Sequence, residues 1–392
     1  MLSPKTVQVI KSTVPVLEQY GVQITSTFYK NMFAAHPELL NIFNHSNQRE
    51  GKQQTALANT VYAAALHIDK LPEILPAVKQ IAHKHRALGI VPAQYDIVGA
   101  NLLGAIKQVL GDAATDEIIG AWAEAYGVIA KVFIDIEADM YKDAETQPGG
   151  WKDTREFTVE KKVQETPNIY SFYLKPTDGQ PIASFQPGQY LTLKVQIGDR
   201  THFRHYSLSD GDNQNGYRIS VKKEKGEVDG VISNHLHDTI NIGDKVFCTA
   251  PAGDFVIDQT KEDSVLFLCG GVGITPLLSM LKNTINKQPN RKSTFVFSSK
   301  NQEFQPFKDE LKEIKAKNNE ALHLDIIHSD TQGHVTKESL AKLTAHIDDA
   351  SKKTTDVYIC GPVGFMHSMN TIAKELGFEK IHYEVFGPLT KI

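Results

Sequence analysis

The period of the hydrophobic residues changes twice along this chain, and no single layered architecture accommodates all three patterns. Over residues 1 to about 140, apolar side chains recur at three- and four-residue spacing. Ile118, Ile119, Trp122, Tyr126, Ile129, Phe133, Ile136 and Met140 form one such stripe, the mark of a helix with one buried face. Gly and Pro stand at expected helix ends, in His36-Pro37, Leu71-Pro72 and Gly89-Ile90-Val91-Pro92. Gln147-Pro148-Gly149-Gly150 is turn chemistry and breaks the pattern. Beyond it the period falls to two. Phe157-Thr158-Val159, Ile169–Leu174, Tyr190–Val195 and Tyr217–Val221 are short β-rich runs between turns, which predicts an antiparallel barrel or sandwich. From about residue 263, short apolar runs (Val265–Leu268, Thr294–Phe297, Leu322–Ile327, Val357–Cys360, Ile381–Val385) alternate with helical segments. That alternation implies a parallel sheet with helices on its faces.

Length agrees with a multidomain α + β chain: 392 residues at roughly 100–200 per domain give two to four domains. The formal net charge is −4 and the Lys and Arg residues are scattered, so nothing points to nucleic acid. Of the three cysteines, Cys248, Cys269 and Cys360, none lies in a CxxC motif. A disulfide framework or zinc site is therefore not expected, and a reducing cytosol fits. No stretch approaches the ~18 uninterrupted apolar residues of a membrane span. Met1-Leu2-Ser3-Pro4-Lys5 opens directly into an amphipathic pattern without the apolar core of a signal peptide. The expectation is a soluble, cytoplasmic protein with no stable membrane insertion.

His85 is the strongest candidate ligand in the helical part. Val78, Ile81 and Ala82 lie seven, four and three residues before it and share its helical face. A histidine on such a stripe suits axial ligation of haem iron, with the second ring nitrogen held by a hydrogen bond. A satisfied core histidine is the alternative on these residues alone. His83 is the rival, but two residues away it points to nearly the opposite face. Glu137 follows Phe133 by four residues on the apolar stripe and so should point inward. A buried carboxylate needs a partner, and His85 would offset its cost.

Phe28-Tyr29, Asn41-Ile42-Phe43-Asn44, Ser46-Asn47-Gln48-Arg49, Leu75-Pro76-Ala77-Val78 and Trp122-Ala123-Glu124-Ala125-Tyr126-Gly127 resemble the globin domain of bacterial and yeast flavohaemoglobins. Gln53, His85, Tyr95 and Glu137 fall in step with them. The resemblance implies a haem b with His85 as its proximal ligand. It implies Tyr29 as a distal hydrogen-bond donor to bound oxygen, Gln53 as its support and Phe43 packed on the haem. Tyr95 and Glu137 would form a proximal relay with His85, and Lys84 would tune the local field.

Arg204-His205-Tyr206-Ser207 is similar to the R-x-Y-S motif of the ferredoxin-reductase superfamily. Arginine suits a pyrophosphate through its charge and fork geometry. The resemblance places Tyr206 against the isoalloxazine ring of FAD and Ser207 near its N5. Upstream lies Pro187-Gly188-Gln189-Tyr190, whose Tyr190 would also contact the flavin. Downstream, Gly230-Val231-Ile232-Ser233-Asn234-His235-Leu236 resembles the segment that opens a short helix on the pyrophosphate. The free N–H groups of a helix start favour that anion, with Ser233 in its first turn. The order of the three elements implies a six-stranded, antiparallel FAD-binding β-barrel.

Leu266-Phe267-Leu268-Cys269-Gly270-Gly271-Val272-Gly273-Ile274-Thr275-Pro276 reads as strand, glycine turn and helix. It is not the G-x-G-x-x-G fingerprint but resembles the superfamily's G-G-x-G-[IQ]-T-P loop, in which glycines let backbone N–H groups approach phosphate. Cys360-Gly361-Pro362 ends a later strand and by resemblance borders the nicotinamide pocket; Cys360 as a small core residue is the alternative. The ending His382-Tyr383-Glu384-Val385-Phe386-Gly387-Pro388 also matches the family. It implies that Phe386 covers the flavin face and that Glu384 tunes the redox centres. A 2′-phosphate usually calls for an arginine after the second strand. Here Ser298-Ser299-Lys300-Asn301 offers only Lys300, which favours NADH and leaves NADPH open.

The expected division is a globin domain over 1–140, a linker over 141–151, an FAD-binding barrel over 152–257 and an NAD(P)H-binding α/β domain over 258–392. The resemblance implies nitric oxide dioxygenase activity, with NO, O2 and NADH or NADPH as small-molecule partners. It implies a monomer with room for a lipid in the distal haem pocket. A general haem and flavin reductase, or a globin that senses oxygen or nitric oxide, are the other classes.

Overall fold

The structure, a computed structural model, describes residues 2–43, 48, 51–211, 215–226 and 229–387. The chain divides into two compact units. The first holds the described residues of 1–146 and 194–203 together with 387, and the second holds those of 147–193 and 204–386.

The first unit is helical: α1 Pro4–Ser12, α2 Val14–Ala35, α3 Lys52–Leu66, α4 Leu75–Leu88, α5 Pro92–Leu110 and α6 Asp116–Thr146. Local chemistry sets the ends. Ser3 caps α1 by accepting from the Thr6 N–H at 3.0 Å, and Pro stands in the first turn of α1, α2, α4 and α5 where no N–H is needed. Gly89 closes α4 in a left-handed conformation, φ +76°, which costs glycine little. Ile10, Ile24, Phe28, Met32, Ile106 and Trp122 pack in one core. Complete burial of a side chain such as Phe28 stabilises by roughly 1.5–3 kcal/mol. A smaller cluster of Val78, Ala82, Tyr95, Ala130 and Phe133 joins α4, α5 and α6 and frames the site below.

One boundary differs from expectation. The linker predicted from residue 141 begins as helix, because α6 runs on to Thr146. Ala144 is buried, and the Tyr141 hydroxyl donates to the Ile90 carbonyl at 2.7 Å. Tertiary packing thus carries the helix to the turn residues that stop it.

Two sheets follow along the chain, most of their residues in the second unit. The first is a six-stranded sheet of β1 Arg155–Thr166, β2 Ile169–Pro176, β3 Tyr190–Ile197, β4 Arg200–Ser207, β5 Tyr217–Lys222 and β6 Lys245–Cys248, in the order β4-β3-β6-β1-β2-β5. The β1–β2, β1–β6 and β2–β5 pairs are antiparallel. The Ser209 N–H donates to the Arg218 carbonyl at 2.9 Å, so the end of β4 returns to β5 and curls the sheet towards a barrel. After β5 comes α7, Val231–Asp238. Lys162 of β1 caps its far end, donating to the carbonyls of His237 at 2.8 Å and Ile240 at 2.7 Å.

Five parallel strands follow: β7 Val265–Gly270, β8 Ser293–Ser299, β9 Leu322–His328, β10 Asp356–Cys360 and β11 Lys380–Glu384, ordered β11-β10-β7-β8-β9. Helices connect them, including α8 Ile274–Lys287, α9 Lys308–Lys317, α10 Ser329–Gln332, α11 Lys337–Leu343, α12 Asp349–Thr354 and α13 Val363–Glu375. Strand β7 is buried on both faces. Val265, Phe267 and Cys269 belong to one core, Leu266 and Leu268 to the other, which is why its sequence reads as an unbroken apolar run. The strand order reverses between β7 and β10, and such a switch point opens a crevice at the strands' carboxyl ends.

Candidate functional site

In the helical unit, α4, α5 and α6 bring His85, Tyr95 and Glu137 into contact. Glu137 is 3% exposed, and its Oε1 accepts from the Tyr95 hydroxyl at 2.6 Å and lies 2.8 Å from His85 Nδ1. The Tyr95 hydroxyl is itself 2.9 Å from His85 Nδ1. A carboxylate oxygen only accepts, so Nδ1 carries a proton, and in the neutral ring Nε2 is the nitrogen with the lone pair. No described residue partners Nε2. Burial, and then the bond to Glu137, raise the Tyr95 phenol well above its usual range, so it remains a donor. The Tyr126 hydroxyl donates to the Tyr95 carbonyl at 2.6 Å. Gly99 lets it approach: a Cβ there would lie 2.5 Å from the Tyr126 ring. The donor set fits a haem iron: an imidazole whose Nδ1 is fixed by hydrogen bonds, leaving Nε2 for the metal, with the Phe133 ring beside it.

A second group lies around Tyr29 on α2. Its ring is 5.5 Å from that of Phe43 and 5.7 Å from that of Phe33. Burial drives the hydroxyl's pKa far up, with a hydrogen bond to the Gln53 side chain opposing it in part. Tyr29 is thus a permanently protonated donor in an aromatic setting. Lys84 is half-buried on α4 next to His85.

In the second unit, β3 and β4 place Tyr190 beside His205, with ring centroids 4.7 Å apart. Thr192 Oγ1 lies 2.7 Å from His205 Nδ1. Arg204, Tyr206 and Ser207 are half-buried on β4; burial lowers the Arg204 pKa and raises that of Tyr206. Gly230 precedes α7 without any side-chain cap, so the first N–H groups of that helix suit a phosphate. Ser233 Oγ accepts from the Glu224 N–H at 3.2 Å. The residues fit a flavin pyrophosphate.

At the switch point, Gly271–Gly273 form a 3-10 turn and α8 starts at Ile274, again without a side-chain cap. A Cβ on Gly273 would lie 2.4 Å from the Cys360 carbonyl oxygen, so only glycine lets the two loops meet. Thr275 Oγ1 donates to the Val272 carbonyl at 2.9 Å. Ile274 and Pro276 are buried, and their contribution is packing beneath the loop. Gly361 follows Cys360, and Pro362 caps α13. Cys360 is fully buried with its Sγ 3.6 Å from the Glu384 carbonyl. Glu384 and Val385 are buried, whereas Phe386 is 50% exposed and Gly387 groups with the helical unit. Pro388 lies outside the described residues. Sequence reasoning missed Tyr126 and Thr192: each acts on a residue 31 or 13 positions away, and no spacing rule links them.

Three family models match in order: Globin over residues 26–133, an Oxidoreductase FAD-binding domain over 156–257 and an Oxidoreductase NAD-binding domain over 267–371. Flavohemoprotein A of Dictyostelium discoideum is 57% identical over 402 residues, covering 100% of both chains. The chain belongs to the flavohaemoglobin family. A crystal structure of flavohemoglobin from Malassezia yamatoensis with bound FAD and heme matches 98% of this chain and 100% of its own, at 28% identity and a TM-score of 0.86. The FAD/NAD-binding domain of a nitric oxide dioxygenase from Vibrio cholerae O1 biovar El Tor is 34% identical, covers 60% of this chain and 100% of its own, with a TM-score of 0.54. This flavohaemoglobin is therefore an oxidoreductase whose cofactors are haem, FAD and a nicotinamide nucleotide. Among the described residues no helix is long and apolar enough to cross a membrane.

Proposed function

We propose that the chain is a nitric oxide dioxygenase, converting NO and O2 to nitrate with electrons from NADH or NADPH. The observation that carries this is that one helical unit holds both the His85–Glu137–Tyr95 relay and the Tyr29–Gln53 pair. A passive oxygen carrier has no steady need for the two nucleotide-binding modules attached to it. When bound, FAD accepts a hydride and releases single electrons, and haem iron supplies the reducible centre for the gases.

The chain's own residues then have distinct tasks. His85 offers Nε2 to the iron. Glu137 takes the Nδ1 proton's hydrogen bond and makes the ring a stronger electron donor, with Tyr95 fixing the carboxylate. A more electron-rich iron favours oxygen activation. Tyr29 donates to a polar diatomic ligand and Gln53 orients its hydroxyl, while Phe43 keeps water out and Lys84 adds positive charge nearby. Arg204, Tyr206, Ser207, Tyr190, His205 and Ser233 hold the flavin. The loop Gly271–Pro276 and Cys360–Pro362 hold the nucleotide, and Glu384–Phe386 border the flavin face. The reading keeps an FAD-binding domain over 152–257 and an NAD(P)H-binding domain over 258–392 after the helical domain. The protein works as a cytoplasmic monomer.

The test is direct. The holoprotein is given NADH and air under a nitric oxide electrode, and nitrate is measured alongside NADH. Two electrons per NADH and one per nitrate require two nitrate ions per NADH consumed. Oxygen-dependent NO loss at that ratio supports the reading. Haem reduction by NADH without NO consumption would move the function to a general reductase or a sensor.

A further inference from the structure

Within the second unit, the FAD-binding and NAD-binding modules share an ion ring that none of the recognised motifs contains. Arg218 of β5 and Asp210, just beyond β4, come from the first module. Lys282 of α8 and Glu310 of α9 come from the second. Arg218 Nη1 donates to Glu310 Oε2 at 2.8 Å and its Nη2 to Oε1 at 3.4 Å. Lys282 Nζ donates to Glu310 Oε1 at 2.6 Å and also to Asp210 Oδ1. Charges alternate among the four and sum to zero; three contacts link them, and Arg218 and Asp210 close the ring by attraction without a hydrogen bond. The Arg218 side chain is 4% exposed and the other three 20–24%.

Further contacts lock the arginine. Its Nε donates to Ser209 Oγ at 3.1 Å, and Nη2 to the Ser209 carbonyl. The Phe307 ring lies 4.9 Å from the guanidinium. Phe307 is buried with φ +57°, a left-handed backbone that a bulky residue adopts only when its surroundings hold it. Its N–H donates to Glu165 Oε2 on β1 at 3.4 Å, a second crossing between the modules. Burial pushes the Asp210 carboxyl upward, and Arg218 and Lys282 outweigh it, leaving it below the usual range.

Two of the four members adjoin the reactants' binding loops. Asp210 follows Ser207 of the flavin motif by three residues. Lys282 shares α8 with the glycine loop, eight residues on from Ile274, roughly 12 Å along the helix at about 1.5 Å per residue. Buried ion pairs add little net stability, but they penalise every arrangement that leaves one charge unpaired. We propose that the Arg218–Glu310–Lys282–Asp210 ring is a positioning device, fixing the approach of the nicotinamide to the flavin and so setting the rate of hydride transfer. In that transfer the nicotinamide C4–H bond breaks and a flavin N5–H bond forms; NADH is oxidised by two electrons and the flavin is reduced. The inference rests on the two nucleotide modules alone and is independent of the chemistry at haem.

The experiment uses the full chain loaded with haem and FAD, as Glu310→Gln, as Lys282→Met and as the double variant. NADH and its C4-deuterated form are mixed in single turnovers and flavin bleaching is followed. FAD affinity is measured by fluorescence, and hydrogen exchange is read in 208–211 and the first turn of α8. The ring predicts a roughly tenfold slower transfer, since small misplacements of reactants carry such costs, with a larger isotope effect and unchanged FAD affinity. It also predicts faster exchange in both segments, and a double variant no worse than the worse single. Wild-type transfer rates would overturn the proposal. So would a slower rate matched by lost FAD, which would make the ring a scaffold for the flavin. If Glu310→Gln does not fold, Lys282→Met decides on the same readouts.

Discussion

Replacing Glu137 by Gln isolates one charge in the proximal relay. Both donors, the Tyr95 hydroxyl and His85 Nδ1, address the same oxygen, Oε1. A glutamine can leave its carbonyl oxygen there, so geometry and tautomer survive and only the charge is lost. Hydrogen bonds to charged groups contribute about 1.5–3 kcal/mol and neutral ones about 0.5–1.5. Two bonds each weaken by roughly 1 kcal/mol, and the imidazole loses the carboxylate's pull on its proton.

Changes of this kind in a ligand's hydrogen-bond partner cost about 10–100-fold in metal affinity or activity, and that range is expected for haem retention and NO turnover in Glu137→Gln. The assay pairs competition for haem by an apo-globin with the iron–histidine stretching frequency of the reduced protein, which should fall as the imidazole donates less. An unchanged stretch with unchanged turnover would refute the reasoning, and would make Glu137 a buried acid that only holds α5 and α6 together.

Tyr29→Phe removes the distal donor and should speed oxygen dissociation about 10–100-fold, the value of one hydrogen bond to a partly charged acceptor, read by stopped-flow ligand displacement. Gly273→Ala forces a Cβ to 2.4 Å from the Cys360 carbonyl. It should cost about 1–3 kcal/mol of stability and raise the KM for NADH, while FAD stays bound; a wild-type KM and melting temperature would contradict the packing described. Burial raises all three cysteine pKa values, so native thiols should resist alkylation at pH 9. The sign for stability follows: thiols neutral in the folded chain but ionising in the unfolded one make the melting temperature fall as pH climbs above roughly 8.5. A flat profile from pH 8 to 10 would count against burial of the thiols.

Much of the architecture is legible because each layer has its own period. The β7 run is continuous because the strand is covered on both faces, and α6 shows its stripe because one face alone is buried. Helix ends were less legible: α6 outlasts its expected end, with Ala144 buried and Tyr141 bonded to the distant Ile90, which periodicity does not register. Glu137 was legible as inward-pointing from its place four residues after Phe133. That its Oε1 serves two donors depends on α5 crossing α6 where Gly99 admits Tyr126, a tertiary fact. The ion ring was illegible for a stronger reason. Arg218 and Glu310 are 92 residues apart, and each alone reads as an ordinary surface charge.

The two buried polar clusters differ in a way that separates ligand site from scaffold. In the ring, Arg218 and Lys282 each meet carboxylates, and both carboxylates are matched by cations. Such a cluster is complete, and its consequence is geometric. In the relay, Glu137 is satisfied and Tyr95 is satisfied, but satisfying them consumes only one nitrogen of His85. The network holds Nδ1 as the donor and leaves Nε2 for a ligand, at a side chain 30% exposed with the Phe133 ring beside it. An imidazole held through Nδ1 by two partners, with Nε2 unpartnered among the described residues, has the valence an iron ligand requires. His85→Ala should therefore abolish haem binding while NADH still bleaches the flavin, and retained haem in that variant would give the ligand role to another residue.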